Sequence, residues 1–514
     1  MDSQSNSWMS ISLSAAVVSA GSFISRIVGL LRDVLIASLL GAGPLADALI
    51  VAFRIPNLFR KLFAEGSLSS AVTASITYVR ETEGENRAFS LIRTCLLWTV
   101  GIFSLLLVIA EYGSEVITTV LAPGLSMSPA VFAHANTLLK ITLPYLVCIG
   151  LVAFLSGVLH SRKHFHAPAL APLVLNITLV LGAAIAWGCS LPVAETLCVA
   201  LVIGGVLQVF LQLMFFHGKS LWRGAWRVRD AHACTLAKTL VPTVLSGAVF
   251  QLSVVLVTIL ASFQEEGTIS KLYFADRLVQ FPLGLIGVAI GVAVLPALST
   301  LAVSNDRQKY GEVLSSAVQF TLFLSLPAAA GLYVLAHPVL QLFFERGAFS
   351  AHDAAIASTM LQAFTVGLPA FAVTRPLLSG YYAKQNSRIP LLAGGCNLVL
   401  TVLLGVLFMQ FWGGVGLAIA VSCGGWVYCI LLYVFLRRQG LCLTQLSRWN
   451  LVYGFMSIAV GVGCWWAAPF GLASLLCIPV LAVCYVGCLY LGRSPDAQQL
   501  VSLVKKKNTT TSDC

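Results

Sequence analysis

The chain has 514 residues, 58% hydrophobic and only 10% charged, with a mean hydropathy of +0.90. A soluble globular protein carries roughly 25% charged and roughly 45–50% apolar residues, so a soluble multidomain enzyme, a disordered chain, a collagen-like repeat and a nucleic-acid-binding arm are all excluded. Thirty-one Lys and Arg against 20 Asp and Glu give a net charge of +11, which in a membrane protein reports orientation more than an anionic soluble partner.

A membrane-spanning helix needs about 20 apolar residues. The apolar runs predict about fourteen: 12–40, 45–79, 88–110, 134–159, 166–188, 192–216, 234–263, 270–302, 310–336, 353–384, 389–411, 413–436, 449–469 and 472–492. Met1–Ser10 lacks a basic stretch and a small-residue cleavage site, so the first helix is expected to stay. With the N-terminus inside, the cytoplasmic connections carry Arg80, Arg87, Arg93, Arg162, Lys163, Lys219, Arg223, Arg227, Arg229, Lys238, Arg307, Lys309, Lys384, Arg388, Arg437, Arg438, Arg448, Arg493 and Lys505–Lys507. The opposite connections carry Arg346 and otherwise acids such as Glu111, Glu115, Glu265 and Glu266. This is the positive-inside asymmetry, and it predicts that both termini are cytoplasmic. The 14 cysteines lie mostly within apolar runs and form no C-x-x-C pair, so they read as small hydrophobes.

Two stretches resemble each other at a slowly drifting offset. Pro144, Ser156-Gly157, Pro168 and Asn176 match Pro369, Ser379-Gly380, Pro390 and Asn397. A weaker match sets Ala46-Asp47 and Pro56 against Ala275-Asp276 and Pro282. The unit holds six helices. Its even number gives both copies one orientation, the parallel-repeat arrangement of many transporters, whose substrate sites lie between the halves. The expected organisation is a six-helix lobe over 1–218, a second over 219–438, two further helices over 439–492 and a cytoplasmic tail over 493–514.

A charge at the bilayer centre costs roughly 2.5–3.5 kcal/mol on insertion scales, yet three helices carry several. The first has Arg26, Arg32 and Asp33; at about 100° per residue, Arg26 and Asp33 share a face. The second has Asp47, Arg54, Arg60, Lys61 and Glu65. There Arg54, Lys61 and Glu65 fall on one face, and Pro56 is expected to bend a segment far longer than a bilayer requires. The eighth has Asp276 and Arg277, then Gln280, Pro282 and the small-residue series Gly284, Gly287 and Gly291. The functional reading is a cationic cavity between the halves that binds an anionic headgroup on Arg26, Arg32, Arg54, Arg60 and Arg277, because the guanidinium fork suits phosphate. Asp33, Asp47, Glu65 and Asp276 are candidates for gating or ion pairs, and Pro56, Pro282 and the three glycines for hinges. Lys61, Lys140, Lys271 and Arg375 read as snorkelling side chains.

The segments SRIVGLLRD (Ser25–Asp33), Gly41–Ser69, Tyr273–Ser299 and LFFERGAFSAHDA (Leu342–Ala354) resemble the MurJ (MviN) lipid II flippase family of the MOP exporter superfamily. The resemblance implies an all-α polytopic membrane protein: two six-helix lobes in a V, with two C-terminal helices forming a groove for an isoprenoid tail. It places Arg26, Arg32, Arg60 and Arg277 in the central cavity and Asp47 at the periplasmic end of the second helix. Gln280 stands where an acid often follows the helix-eight arginine, so a gating pair there is expected to be absent or weaker. Helices seven and eleven offer Ser246, Gln251, Ser253, Asn397 and Thr401 where some relatives have sodium-binding acids, so no sodium site is expected. The implied function is alternating-access flipping of lipid II, an undecaprenyl-diphosphate-linked disaccharide-pentapeptide, across the inner membrane, with cell-wall synthesis and division machinery as protein partners.

A flippase for another polyprenyl-diphosphate-linked polysaccharide is the nearest alternative, and a drug exporter of the same superfamily a more distant one. No H-E-x-x-H, G-x-S-x-G or Walker A run marks an enzyme. His160, His164 and His166 read as part of a solvated basic turn rather than a metal site. No metal, cofactor or catalytic residue is called for, and nothing marks a channel constriction.

Overall fold

The computed structural model describes residues 21, 23–216, 226–304, 306–439, 448–498 and 500–502, with the side chains of 64–67, 242–243, 245–250, 288–293 and 448 outside that description. Long runs of Leu, Val, Ile and Ala dictate the outcome. In hydrocarbon every backbone N–H and C=O must be satisfied internally, and a helix does so within one segment. Each of the fourteen predicted segments is mainly helical where it is described, with a turn at Leu143–Pro144 dividing the 134–159 segment and turns or coil at the ends of several others. The chain is an all-α polytopic membrane protein.

Among the described residues the helices include α1 (23–40), α2 (Pro44–Phe59), α3 (Leu68–Glu83), α4 (Glu85–Tyr112), α5 (Ser114–Leu121), α6 (Pro129–Thr142), α7 (Tyr145–Ser161), α8 (His166–Gly188), α9 (Val193–Met214), α10 (Ala231–Ala261), α11 (Thr268–Ser304), α12 (Arg307–Val334), α13 (Ala336–Phe343), α14 (Ala351–Ala383), α15 (Arg388–Arg438), α16 (Arg448–Ala467) and α17 (Cys477–Leu491). Among the described residues eight helical stretches are long and apolar enough to span a bilayer. Two of these are hairpins. α15 folds back at Gly413 (φ 54°, ψ −133°), and the α16–α17 stretch does so at Gly471 (φ 57°, ψ −128°). Only glycine enters this backbone region freely. Exposed aromatic residues stand beside both turns: Phe411 and Trp412 at the first, Trp465, Trp466 and Phe470 at the second.

Three features depart from the sequence reading. The short helices α5 and α13, too short to cross a membrane, lie between spans. The long second segment is interrupted by a π-helical stretch, Arg60–Ser67, between α2 and α3. Arg93, counted with a cytoplasmic connection, is buried within α4.

Pro56 lies inside α2. It lacks the N–H that would bond the Ala52 carbonyl one turn back. Thr142 of α6 takes that place: its hydroxyl lies 3.3 Å from the Ala52 oxygen and 2.8 Å from that of Leu139. Re-satisfaction by a neighbouring Ser or Thr is how a spanning helix tolerates proline.

The chain divides into two compact units, Met1–Ser270 with Gly347–Phe349, and Lys271–Arg346 with the remainder from Ser350. In the first, Leu68, Val72, Leu91, Ile92, Phe154 and Val158 of α3, α4 and α7 form a core that also takes in Ala233 and Leu236 of α10. Thus α10, which the sequence reading assigns to the second lobe, packs at its start within the core of the first unit. In the second, Phe323, Tyr453, Tyr485 and Leu489 join α12 to α16 and α17. The repeat landmarks have matching duties. The Gly157 carbonyl accepts from Thr73 of α3 at 3.0 Å, and the Gly380 carbonyl accepts from Tyr310 of α12.

Candidate functional site

In the first unit the site is built on α1 and α2. Asp33 is buried. It accepts from Arg32 Nε at 3.0 Å and Nη2 at 2.7 Å, a two-point pairing of the kind that fixes a guanidinium's plane. The third corner of the fork, Nη1, donates to Asn176 Oδ1 of α8 at 2.9 Å. Asn176 Nδ2 in turn donates to the Ser25 carbonyl at 2.9 Å and lies 3.2 Å from Ser25 Oγ. Gly29 makes this possible, because a Cβ there would stand 3.2 Å from the Asn176 amide nitrogen. Arg32 is therefore held from its own helix and from α8, whereas Arg26 is exposed on α1. The face shared by Arg26 and Asp33 on a helical wheel gives way to a pair with the adjacent arginine, whose long side chain folds back along the helix.

On α2, Asp47 is buried. Its Oδ2 and Oδ1 accept the backbone N–H groups of Gly267 and Ser270, each at 2.7 Å. It thereby caps the N-terminus of α11, where a carboxylate satisfies orphan donors and meets the positive end of the helix dipole. Arg54 and Arg60 are half-buried and Lys61 is exposed. The single face proposed for Arg54, Lys61 and Glu65 assumed α-helical geometry throughout. The π-helical stretch from Arg60 changes the register, and the Glu65 side chain lies outside the described residues.

The Gly347–Phe349 segment closes the far end of α1. Ala348 N–H donates to the Ser38 carbonyl at 2.8 Å. A Cβ on Gly347 (φ +60°) would come within 2.2 Å of that same oxygen.

In the second unit, Arg277 of α11 donates through Nη2 to the Tyr273 hydroxyl at 2.8 Å, with its guanidinium 4.5 Å from the centroid of that ring. Gln280 reaches back one turn to Asp276, Nε2 to Oδ1 at 3.3 Å. The residue standing where an acid was anticipated thus serves as a neutral donor to Asp276. α11 runs unbroken through Pro282 and past Gly284, Gly287 and Gly291. Gly287 has a further duty that its spacing did not disclose. A Cβ there would lie 2.5 Å from Nη1 of Arg375 on α14, so the glycine admits a second arginine beside the Arg277 helix. Lys271, read as snorkelling, is buried and pairs with Asp353 at 3.2 Å, the residue that completes the Ser350 capping box of α14.

Sequence reasoning named Arg32, Asp33, Asp47, Asp276 and Arg277 but missed the supporting residues. Asn176 stood out only as a repeat landmark, Tyr273 had no signal beyond i,i+4 spacing to Arg277, and Arg375 was set aside. Among the described residues no group of three or more His, Cys, Asp and Glu side chains is gathered as a metal site.

A family model described as Lipid II flippase MurJ matches residues 36–478. A probable lipid II flippase MurJ from Vibrio cholerae is 35% identical over 463 residues, 88% of this chain and 87% of its own. A lipid II flippase MurJ from Burkholderia cenocepacia is 31% identical over 494 residues, covering 92% and 95%. Among solved structures, a lipid II flippase MurJ in an inward closed conformation aligns with a TM-score of 0.80 at 25% identity, covering 93% of this chain and 99% of that one. A multidrug resistance MATE transporter of the MOP superfamily aligns with a TM-score of 0.65 at 15% identity over 84% of this chain, a likeness of fold. The chain belongs to the lipid II flippase MurJ family.

Proposed function

We propose that the protein moves lipid II from the cytoplasmic to the periplasmic leaflet of a bacterial inner membrane, with both termini cytoplasmic, as a transporter without a catalytic step. The observation that carries this reading is the arginine set of α1, α2 and α11 in an otherwise apolar chain, with Arg32 oriented by Asp33 and Asn176. Each phosphate of a diphosphate offers a pair of non-bridging oxygens sharing one negative charge, which a guanidinium fork binds at two points. Arg26, Arg32, Arg54, Arg60 and Arg277 take the diphosphate, while the lipid tail stays in hydrocarbon. Arg375, whose guanidinium lies beside Gly287 on the Arg277 helix, is proposed to act with Arg277. Pro56 and the π-helical stretch give α2 its yielding point, and Asp47 holds the start of α11 during the inward-facing part of the cycle. An inside-negative potential favours export of the anion by about 2.3 kcal/mol per charge per 100 mV crossed. Proteins of cell-wall synthesis and division are the partners this role implies.

The test is depletion of the protein followed by an assay of which face of the inner membrane holds lipid II. Accumulation on the cytoplasmic face is expected, reversed by the wild-type chain and not by Arg26→Ala or Arg277→Ala. Unchanged sidedness overturns the reading and favours another polyprenyl-diphosphate-linked substrate. Partial rescue by Lys at either position would show that charge matters more than the fork.

A further inference from the structure

At one end of the second unit the chain ends of α11, α12, α14 and α15 line an open cavity of about 500 Å³, within the roughly 300–1,000 Å³ of small-molecule sites. Leu301, Ala302 and Val303 give it an apolar edge, and Arg307, Lys384, Gln385 and Gln439 give it polar donors. Val303 is 90% exposed, an apolar rim open to the surroundings.

Lys384, one residue past the end of α14, holds its ammonium 4.6 Å from the centroid of the Tyr310 ring. Tyr310 is buried and fixed by donation to the Gly380 carbonyl. Partial desolvation, and then the charge of Arg307, keep the Lys384 ammonium below its usual pKa although the residue is exposed. Two cations thus share one cavity. Asp306, the acid of the lining, is already engaged. It accepts from Lys309 N–H at 3.1 Å, and its other oxygen lies 3.4 Å from Lys309 Nζ. Like charges held close are unfavourable until an anion sits between them.

We infer that this cavity binds the phosphate of an anionic phospholipid headgroup, with Arg307 and Lys384 on the phosphate oxygens and the Leu301–Val303 edge along the acyl chains. Free phosphate shares the headgroup's chemistry but makes no use of the apolar rim. Basic pockets between spanning helices on the cytoplasmic side suit such headgroups. The inference rests on the proposed orientation for the leaflet it names, but not on lipid II transport. Arg307 and Lys384 entered the sequence reading as orientation signals; here they acquire a ligand.

The experiment titrates phosphatidylglycerol, with phosphatidylcholine as reference, into the full chain in uncharged detergent. Wild type is expected to prefer phosphatidylglycerol. Arg307→Gln with Lys384→Gln is expected to weaken that binding roughly 30-fold, from about 1 kcal/mol per basic residue near a membrane surface. Ala383→Trp fills the cavity without touching its charges and is expected to do the same. Arg437→Gln with Arg438→Gln removes exposed cations of the adjacent chain end that do not line the cavity, and is expected to leave binding within about twofold of wild type. Melting curves establish that each variant folds, and the Arg307/Lys384 pair, both exposed, carries the test if the tryptophan variant does not. Equal binding by the Arg307/Lys384 variant, or an equal loss in the Arg437/Arg438 variant, overturns the site. Displacement of phosphatidylglycerol by millimolar inorganic phosphate would overturn the lipid assignment in favour of the free anion.

Discussion

Asn176→Ala is the substitution that most directly probes how the α1 arginine is held. It removes the acceptor 2.9 Å from Arg32 Nη1 and the donor to the Ser25 carbonyl at 2.9 Å, while Asp33 keeps its hold on Nε and Nη2. A hydrogen bond to a charged group contributes about 1.5–3 kcal/mol. Arg32 is half-buried and keeps its carboxylate partner, so the lower end applies. A 1.5 kcal/mol loss of orientation corresponds to about tenfold weaker binding of a diphosphate lipid. The assay is lipid II affinity of the purified chain, corrected for folded fraction, beside Arg32→Ala and Asn176→Asp. The aspartate retains an acceptor for Arg32 but, ionised, loses the donor to Ser25, so it should fall between wild type and alanine. Wild-type affinity in Asn176→Ala together with a large loss in Arg32→Ala would refute the positioning argument. Wild-type affinity in Arg32→Ala would instead remove Arg32 from the site.

Three further outcomes follow from the packing. Gly347→Ala should lower the melting temperature by several degrees, because a left-handed non-glycine residue costs about 1–3 kcal/mol even before the Cβ meets the Ser38 carbonyl at 2.2 Å; an unchanged melting temperature would show that the Gly347–Phe349 segment is not held there. Lys271→Met should destabilise by about 1.5–3 kcal/mol, the scale of a hydrogen bond to a charged group, because Asp353 is only half-buried and keeps its bonds from Ser350, and adding Asp353→Asn should recover part of the loss in a double-mutant cycle. Asp230 caps α10 through Ala233 and His232 N–H and pairs with Arg87. Burial opposes its ionisation, but the Arg87 hydrogen bond, the backbone donors and the Arg87 charge outweigh it and hold its pKa below the usual value. Its contribution is therefore present above the unfolded pKa of about 3.9 and lost as pH falls through the lower folded value. The melting-temperature gap between wild type and Asp230→Asn should close over that acidic window, and a gap independent of pH would reject the linkage.

The spans were legible in the sequence because their physics is one-dimensional. Twenty apolar residues in hydrocarbon have a single way to satisfy their backbone, so length and composition suffice. The charged helices were legible for the same reason, since Arg26, Arg32 and Arg277 violate the composition around them. Contacts between helices were not legible. The partner of Asp33 depended on the reach of an arginine side chain and on an asparagine 143 positions away, neither of which a helical wheel contains. Lys271 and Arg375 were set aside because a long basic stem at a helix end can always reach water; the structure gives one a carboxylate and the other a glycine-sized gap. The π-helical stretch and the capping role of Asp47 likewise arise from tertiary packing rather than local propensity.

The two glycine turns bear on how the molecule is made. Spans joined at Gly413 have almost no tether, since α15 passes from one arm to the other within a residue, and the pair α16 and α17 is joined by a compact nine-residue 3-10 stretch, Ala468–Leu476, that turns at Gly471. A nascent first arm cannot settle in the bilayer and await its successor, because the chain has no slack to extend into water on the far side. Each pair is therefore expected to leave the insertion machinery as a closed hairpin. A substitution at either glycine would then register first as failed biogenesis rather than as slow transport.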